Sequence, residues 1–162
     1  MSWQVVNKGT DHTASIQSII KDYLKTNWTL TGDLDATNPG KTLFSTGWWQ
    51  KQPAVQVHVR HDIDMPSRFK TLGSRPISQW NDRIQVHCFT TELTNDAEPI
   101  NLDKMNREVE RIINADATGL ETTQGIYMMQ CSSPRIMPME DSQASIFHSI
   151  QKVELYYNKR FI

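Results

Sequence analysis

The chain has 162 residues, with 17 Lys and Arg against 18 Asp and Glu and a formal net charge of -1. That is the length of one domain, and the balanced charge excludes a scaffold that grips nucleic acid over its whole surface, as well as an acidic tail protein. Leu, Ile, Val and Phe number 36 of 162, just above the roughly 20% below which chains tend to stay disordered, so a modest core is expected, of the kind a subunit completes against its partners.

The opening Met-Ser-Trp-Gln-Val-Val-Asn-Lys-Gly has neither a basic nor an apolar leader region, so no secretion signal is expected. No apolar run approaches the roughly 18 residues of a membrane span. Cys88 and Cys131 sit in alternating segments far apart in sequence and read as free, buried thiols of a reducing compartment. Asn27-Trp28-Thr29 matches a glycosylation sequon, which carries no weight without a leader.

Residues 11 to 28 read as a helix. Thr10 or Asp11 can cap it, and Ile16, Ile19, Ile20, Tyr23 and Leu24 share one face. Residues 29–53 read as an extended loop broken by Asn38-Pro39-Gly40, with one short edge strand at Leu43-Phe44. In residues 54 to 61, Val55, Val57 and Val59 alternate with Gln56, His58 and Arg60, and in 83 to 90 Ile84, Val86 and Cys88 alternate with Gln85, His87 and Phe89. Both predict half-buried strands. The segment 62–82 between them reads as a long loop, and loops of that length in a compact domain carry function.

Residues 101 to 114 predict a second helix, capped by Asn101, with Leu102, Met105, Val109, Ile112 and Ile113 as its apolar stripe. A third strand is expected at 126 to 131, a loop at 132–145, and a closing strand from about 146 to 157 with a bulge near 149 to 152. The order α-β-β-α-β-β predicts one α+β domain over 1–162. It has a mostly antiparallel sheet of four to five strands and two helices on one face. The other face, with Gln56, His58, Gln85 and His87, is too polar for a core and reads as solvated or pressed against another subunit.

Little in the chain points to chemistry. His58, His61, Asp62 and Asp64 lie close together, but residues 58 and 61 of one strand face opposite ways. His58 and His87 can face each other, which gives two ligands where zinc needs at least three. No nucleophile elbow, phosphate loop or dinucleotide fingerprint is present. The cysteines have no adjacent Lys or Arg to lower a thiol pKa. No catalytic residue, metal or cofactor is therefore expected.

Interface residues are easier to nominate. Segment 62–82 interleaves Arg68, Lys70 and Arg75 with Phe69 and Trp80. Such a mixture suits nucleic acid or a protein-docking arm. Docking is favoured, because Asp62, Asp64 and Asp82 cancel much of the charge and nucleic-acid binding needs a net positive footprint. Trp48 and Trp49 are adjacent, so in an extended chain only one can face the core and the other marks an interface. Met137 and Met139 suggest a further contact.

The element order and spacing resemble the tail terminator, or tail-completion, proteins of long-tailed viruses of bacteria and archaea. The opening amphipathic helix carries the likeness, with Gly47-Trp48-Trp49 leading into Pro53-Ala54-Val55-Gln56-Val57. So do the strand at 83 to 89, the helix at 102 to 114 and the closing Val153-Glu154-Leu155-Tyr156-Tyr157. The resemblance implies a structural virion protein, not an enzyme, assembled in the host cytoplasm. Six copies would form a ring on the head-proximal end of the tail tube, ending its growth and offering a surface to the head connector or another neck protein, with DNA passing through without sequence-specific binding. A head-to-tail interface that closes by rotation yields such a two-faced ring. The alternatives are another neck ring (head-completion protein or connector adaptor), a small metal-dependent enzyme using His58 and His87, and a nucleic-acid module using the basic loop.

Overall fold

The computed structural model describes residues 12–36, 42–46, 55–61, 68–70, 77–91, 100–115, 126–137 and 146–160. Helix α1 (His12–Asn27) buries Ile16, Ile20 and Leu24 completely, with Trp28 next on the same stripe. Its expected caps, Thr10 and Asp11, lie outside the described residues. The helix ends where the Asn27 amide donates to the Tyr23 carbonyl (2.9 Å). Gly32 then takes φ +68°, a region glycine enters without steric cost, and opens a short 3-10 turn, Gly32–Leu34. Trp28 Nε1 donates to the Leu34 carbonyl (2.8 Å), which folds this turn back under the helix. The second helix, α2 (Ile100–Asn114), buries Leu102, Met105, Val109, Ile112 and Ile113, the predicted stripe. Asn101 lies within its first turn and not before it.

Among the described residues seven strands form one mixed sheet: β1 (Leu43–Thr46), β2 (Gln56–His61), β3 (Arg68–Lys70), β4 (Ile77–Thr91), β5 (Ile126–Cys131), β6 (Arg135–Met137) and β7 (Ile146–Arg160). The spine is the antiparallel β4–β7 ladder, in register from Ile77↔Arg160 to Thr91↔Ile146. Each outer edge of that spine is built from two shorter strands end to end. β2 and β3 both run along β4, and β5 and β6 both run along β7. β1 adds to β2 in parallel. The order is β1-β2-β4-β7-β5, with β3 on β4 and β6 on β7.

Period-two alternation sorts the strands into two faces. Val57, Val59, Ile84, Val86, Val153, Leu155 and Tyr157 are fully buried in one core cluster with both helices. Two polar clamps fix α2 to β7 on this side: Ser149 Oγ donates to Asn106 Oδ1 (2.5 Å) and Gln151 Nε2 to the Asn106 carbonyl (3.2 Å). α1 and α2 are joined through Glu108, which accepts from the Thr29 N–H (2.7 Å), the Thr29 hydroxyl (2.8 Å) and Arg111 (2.8 Å).

The α+β class holds, but the sheet has more strands than expected and is mixed, because β1 pairs in parallel. Segment 62–82 is not one loop. It contains β3 and the first six residues of β4, since the alternation at Ile77-Ser78-Gln79-Trp80 is hidden by its polar content. Segment 132–145 likewise contains β6, and segment 29–53 contains the 3-10 turn as well as the anticipated edge strand. The closing strand keeps unbroken register with β4 through residues 149 to 152. The irregularity lies on its other side, where three residues, 132–134, span two on β7, and where β5 shifts register between Ile126 and Met128. Pro134 sits in that interruption, where a missing N–H costs no ladder bond.

Candidate functional site

The face turned away from the helices carries a cluster of histidines and amides. Register sets His58 opposite His87, with ring centroids 6.3 Å apart, the facing pair expected from alternation. That pairing does not leave them solvated: Gln56, His58 and His87 are only 1%, 3% and 6% exposed. A third imidazole, His148 on β7, joins them. It stacks on Phe89 (4.1 Å, 11°) and on His87 (5.0 Å, 21°).

Two hydrogen-bond chains order the group. Gln56 Nε2 donates to Ser45 Oγ (2.6 Å), and the same hydroxyl is hydrogen-bonded to His58 Nδ1 at 2.8 Å. Gln85 Oε1 accepts from His87 Nε2 (3.0 Å). His87 Nδ1 is then the acceptor, and His148 Nε2, 2.7 Å away, is the donor. Burial lowers the His87 pKa to about 3, helped by the neighbouring His148, Arg60 and His58, and burial lowers His148 to about 4. Both rings are neutral at pH 7 and too weakly basic for proton abstraction near neutrality. Among the described residues no three His, Cys, Asp or Glu are grouped to hold a metal ion.

The cysteines are poor nucleophiles. Burial pushes Cys88 up to about 12, with Cys131 adding to the rise and a Ser149 hydrogen bond opposing it. Cys131 is also pushed up to about 12, by burial and then by Glu110. Neither forms a useful thiolate near neutral pH. On the helix side, burial and then Asp82 raise the Tyr157 hydroxyl pKa further above its ordinary value.

The nominated interface residues separate into distinct places. Arg68, Phe69 and Lys70 form β3, and Trp80 lies on β4 directly opposite Phe69. These four come together in the backbone register at one end of the spine. Met137, on β6, pairs with His148 of β7, nine residues along β7 from Tyr157, the partner of Trp80, or roughly 30 Å. Trp48, Trp49, Arg75 and Met139 lie outside the described residues. His148 escaped the sequence reading because Ile146-Phe147-His148-Ser149 shows no clean alternation. The signal was available only through pairing, since an antiparallel β7 brings an imidazole to a site already holding two.

No protein-family model matches the chain, and a comparison with curated proteins finds no match. Among the described residues no helix is long and apolar enough to cross a membrane.

Proposed function

We propose that the chain is a structural subunit of a viral neck ring, a tail terminator that caps the head-proximal end of the tail tube and presents a surface to the head. One observation carries the reading. The β4–β7 ladder has fifteen residue pairs, about 50 Å of strand, whereas helices of 16 and 15 residues are only about 24 Å long. The spine is therefore longer than either helix, and β3, with Arg68, Phe69 and Lys70, pairs near one end of it, at the level of the buried Tyr157. A domain with a modest core and so long a two-stranded spine suits a subunit that completes its burial against neighbours. Aromatic and Arg positions at that end fit interface anchors.

The test is assembly. Six copies of 18.7 kDa give a ring of about 112 kDa, read by native mass spectrometry and by electron microscopy of the protein mixed with isolated tail tubes. A ring in solution or on one end of the tubes supports the reading. A protein that stays monomeric at high concentration and decorates no tube end overturns it.

A further inference from the structure

The net charge of -1 conceals a sorting of charge between the two faces of the sheet. Of the eight carboxylates among the described side chains, seven lie in the helices, in the turn after α1 or at Asp82 on the helix side of the sheet. Glu154 alone lies on the other face, and it is engaged by Asn81 (3.0 Å), Tyr156 (2.9 Å) and Arg83 (3.7 Å). Arg60, Arg83, Arg135 and Lys152 belong to that same face by register.

Their arrangement is a line. Arg83 is paired with Glu154, Lys152 lies two residues along β7, and Arg135 is paired with Ile150, two residues further. Each step crosses one strand and advances two residues, about 8 Å. The result is a cationic diagonal of three side chains, Arg83, Lys152 and Arg135, over β4, β7 and β6, roughly 16 Å long. The β2 side of this face is buried at Gln56, His58 and His87. The β7–β6 side is open, with Gln130, Arg135 and Lys152 exposed. A cavity of 570 Å³ is lined by Arg83, Lys152 and Glu154 of this face together with Gln130, Asn114, Cys131 and Ser132.

We propose that this open diagonal binds the phosphate backbone of a nucleic acid. Evenly stepped cations match a linear polyanion whose charges are themselves regular. Gln130 beside them supplies neutral amide donors of the kind that contact phosphate and sugar. An acidic protein partner would need an apolar anchor at the centre of its contact, and here the centre is Arg83, Lys152 and Glu154. The inference does not depend on the ring, since a monomer presents the same face.

The experiment is fluorescence anisotropy of the full chain with a labelled 30-nucleotide single strand and a 20-base-pair duplex, from 50 to 300 mM salt. Three phosphate contacts predict a log–log salt slope of about -2.1 for the single strand and about -2.7 for the duplex. Arg135→Glu with Lys152→Glu should cut the slope by about two thirds and weaken binding at least 20-fold at 0.1 M salt, the value of two lost contacts. The neutral pair Arg135→Gln with Lys152→Gln should do the same without added repulsion, and melting curves check that both fold. Lys104→Glu with Arg107→Glu makes the same charge change on exposed positions of α2 and should alter binding less than 3-fold. Absence of binding at 50 mM salt, or equal losses from the two charge reversals, overturns the proposal. So does poly-glutamate competing as well as DNA at equal charge, which would assign the face to an acidic protein.

Discussion

Glu108 is the joint between the helices, and its removal offers a sharp test of the packing argument. The side chain is 6% exposed, and its Oε1 takes both the N–H and the hydroxyl of Thr29. Arg111 reaches both carboxylate oxygens and also donates to the Asn27 carbonyl (2.9 Å), tying off the end of α1. Burial alone would push the Glu108 pKa up. The hydrogen bonds from Arg111 and Thr29 together outweigh it, and the net direction is down. Two charge-assisted bonds from Thr29, at about 1.5 kcal/mol each, give about 3 kcal/mol for Glu108→Ala. Arg111 adds less than about 1 kcal/mol, because its side chain is half exposed and water replaces the carboxylate. In a chain of this size 3 kcal/mol lowers Tm by roughly 6–12 °C.

Glu108→Gln keeps an acceptor for Thr29 but loses the charge, so about 1–1.5 kcal/mol is expected. Denaturant melts of wild type, both variants and Arg111→Ala provide the check. A carboxylate with a lowered folded pKa contributes stability that is present above its unfolded pKa and lost as pH falls through the folded value. The gap between wild type and Glu108→Gln should therefore close below roughly pH 4.3, the ordinary value for a glutamate, because the glutamine does not titrate. If Glu108→Ala costs under 1 kcal/mol, or Arg111→Ala costs as much, Thr29 is not the main partner and the reasoning fails.

Two further outcomes concern the other face and the thiols. His87 is neutral when folded and takes a proton when unfolded, so stability should fall as pH drops below about 6.5 and keep falling toward its folded value of about 3. At about 1.36 kcal/mol per pH unit, His87 alone removes about 2 kcal/mol between pH 6.5 and 5, with a smaller share from the less buried His148. His87→Gln should be less stable at pH 7 yet flatter over that window, and an unchanged slope in urea melts at pH 7, 6 and 5 would falsify the assignment. Cys88 and Cys131, both with pKa about 12, should resist iodoacetamide at pH 8 in the native protein and react after denaturation. Fast native labelling, seen by mass spectrometry, would show that burial is not protecting them.

How much of this was legible in the sequence follows from how each residue earns its position. The helix stripes, such as Ile16, Ile20 and Leu24, and the strands around Val57 and Val86 were readable because each states its period locally. Segment 77–82 and residues 135–137 were not, because Gln79, Asn81, Arg135 and their neighbours are strand only by virtue of a partner: the ladder with β7 supplies their backbone bonds, and no local periodicity announces it. Trp80 accordingly read as loop although it stands opposite Phe69 in a sheet.

The same limit governs the charges. Sequence arithmetic set Arg68, Lys70 and Arg75 against Asp62, Asp64 and Asp82 and found much of the charge cancelled. Cancellation needs proximity on one surface, since exposed charges separated by more than about 10 Å in ordinary salt hardly screen one another. Alternation puts Asp82, 1% exposed, on the helix side, where its carboxylate takes the Tyr157 hydroxyl, and leaves Arg83 on the opposite face. Neighbours in sequence are thereby parted by the thickness of the sheet, while Arg83, Lys152 and Arg135, remote in sequence, become successive steps of one line. A neutral composition is therefore compatible with a polyanion-binding face wherever a sheet separates odd from even positions.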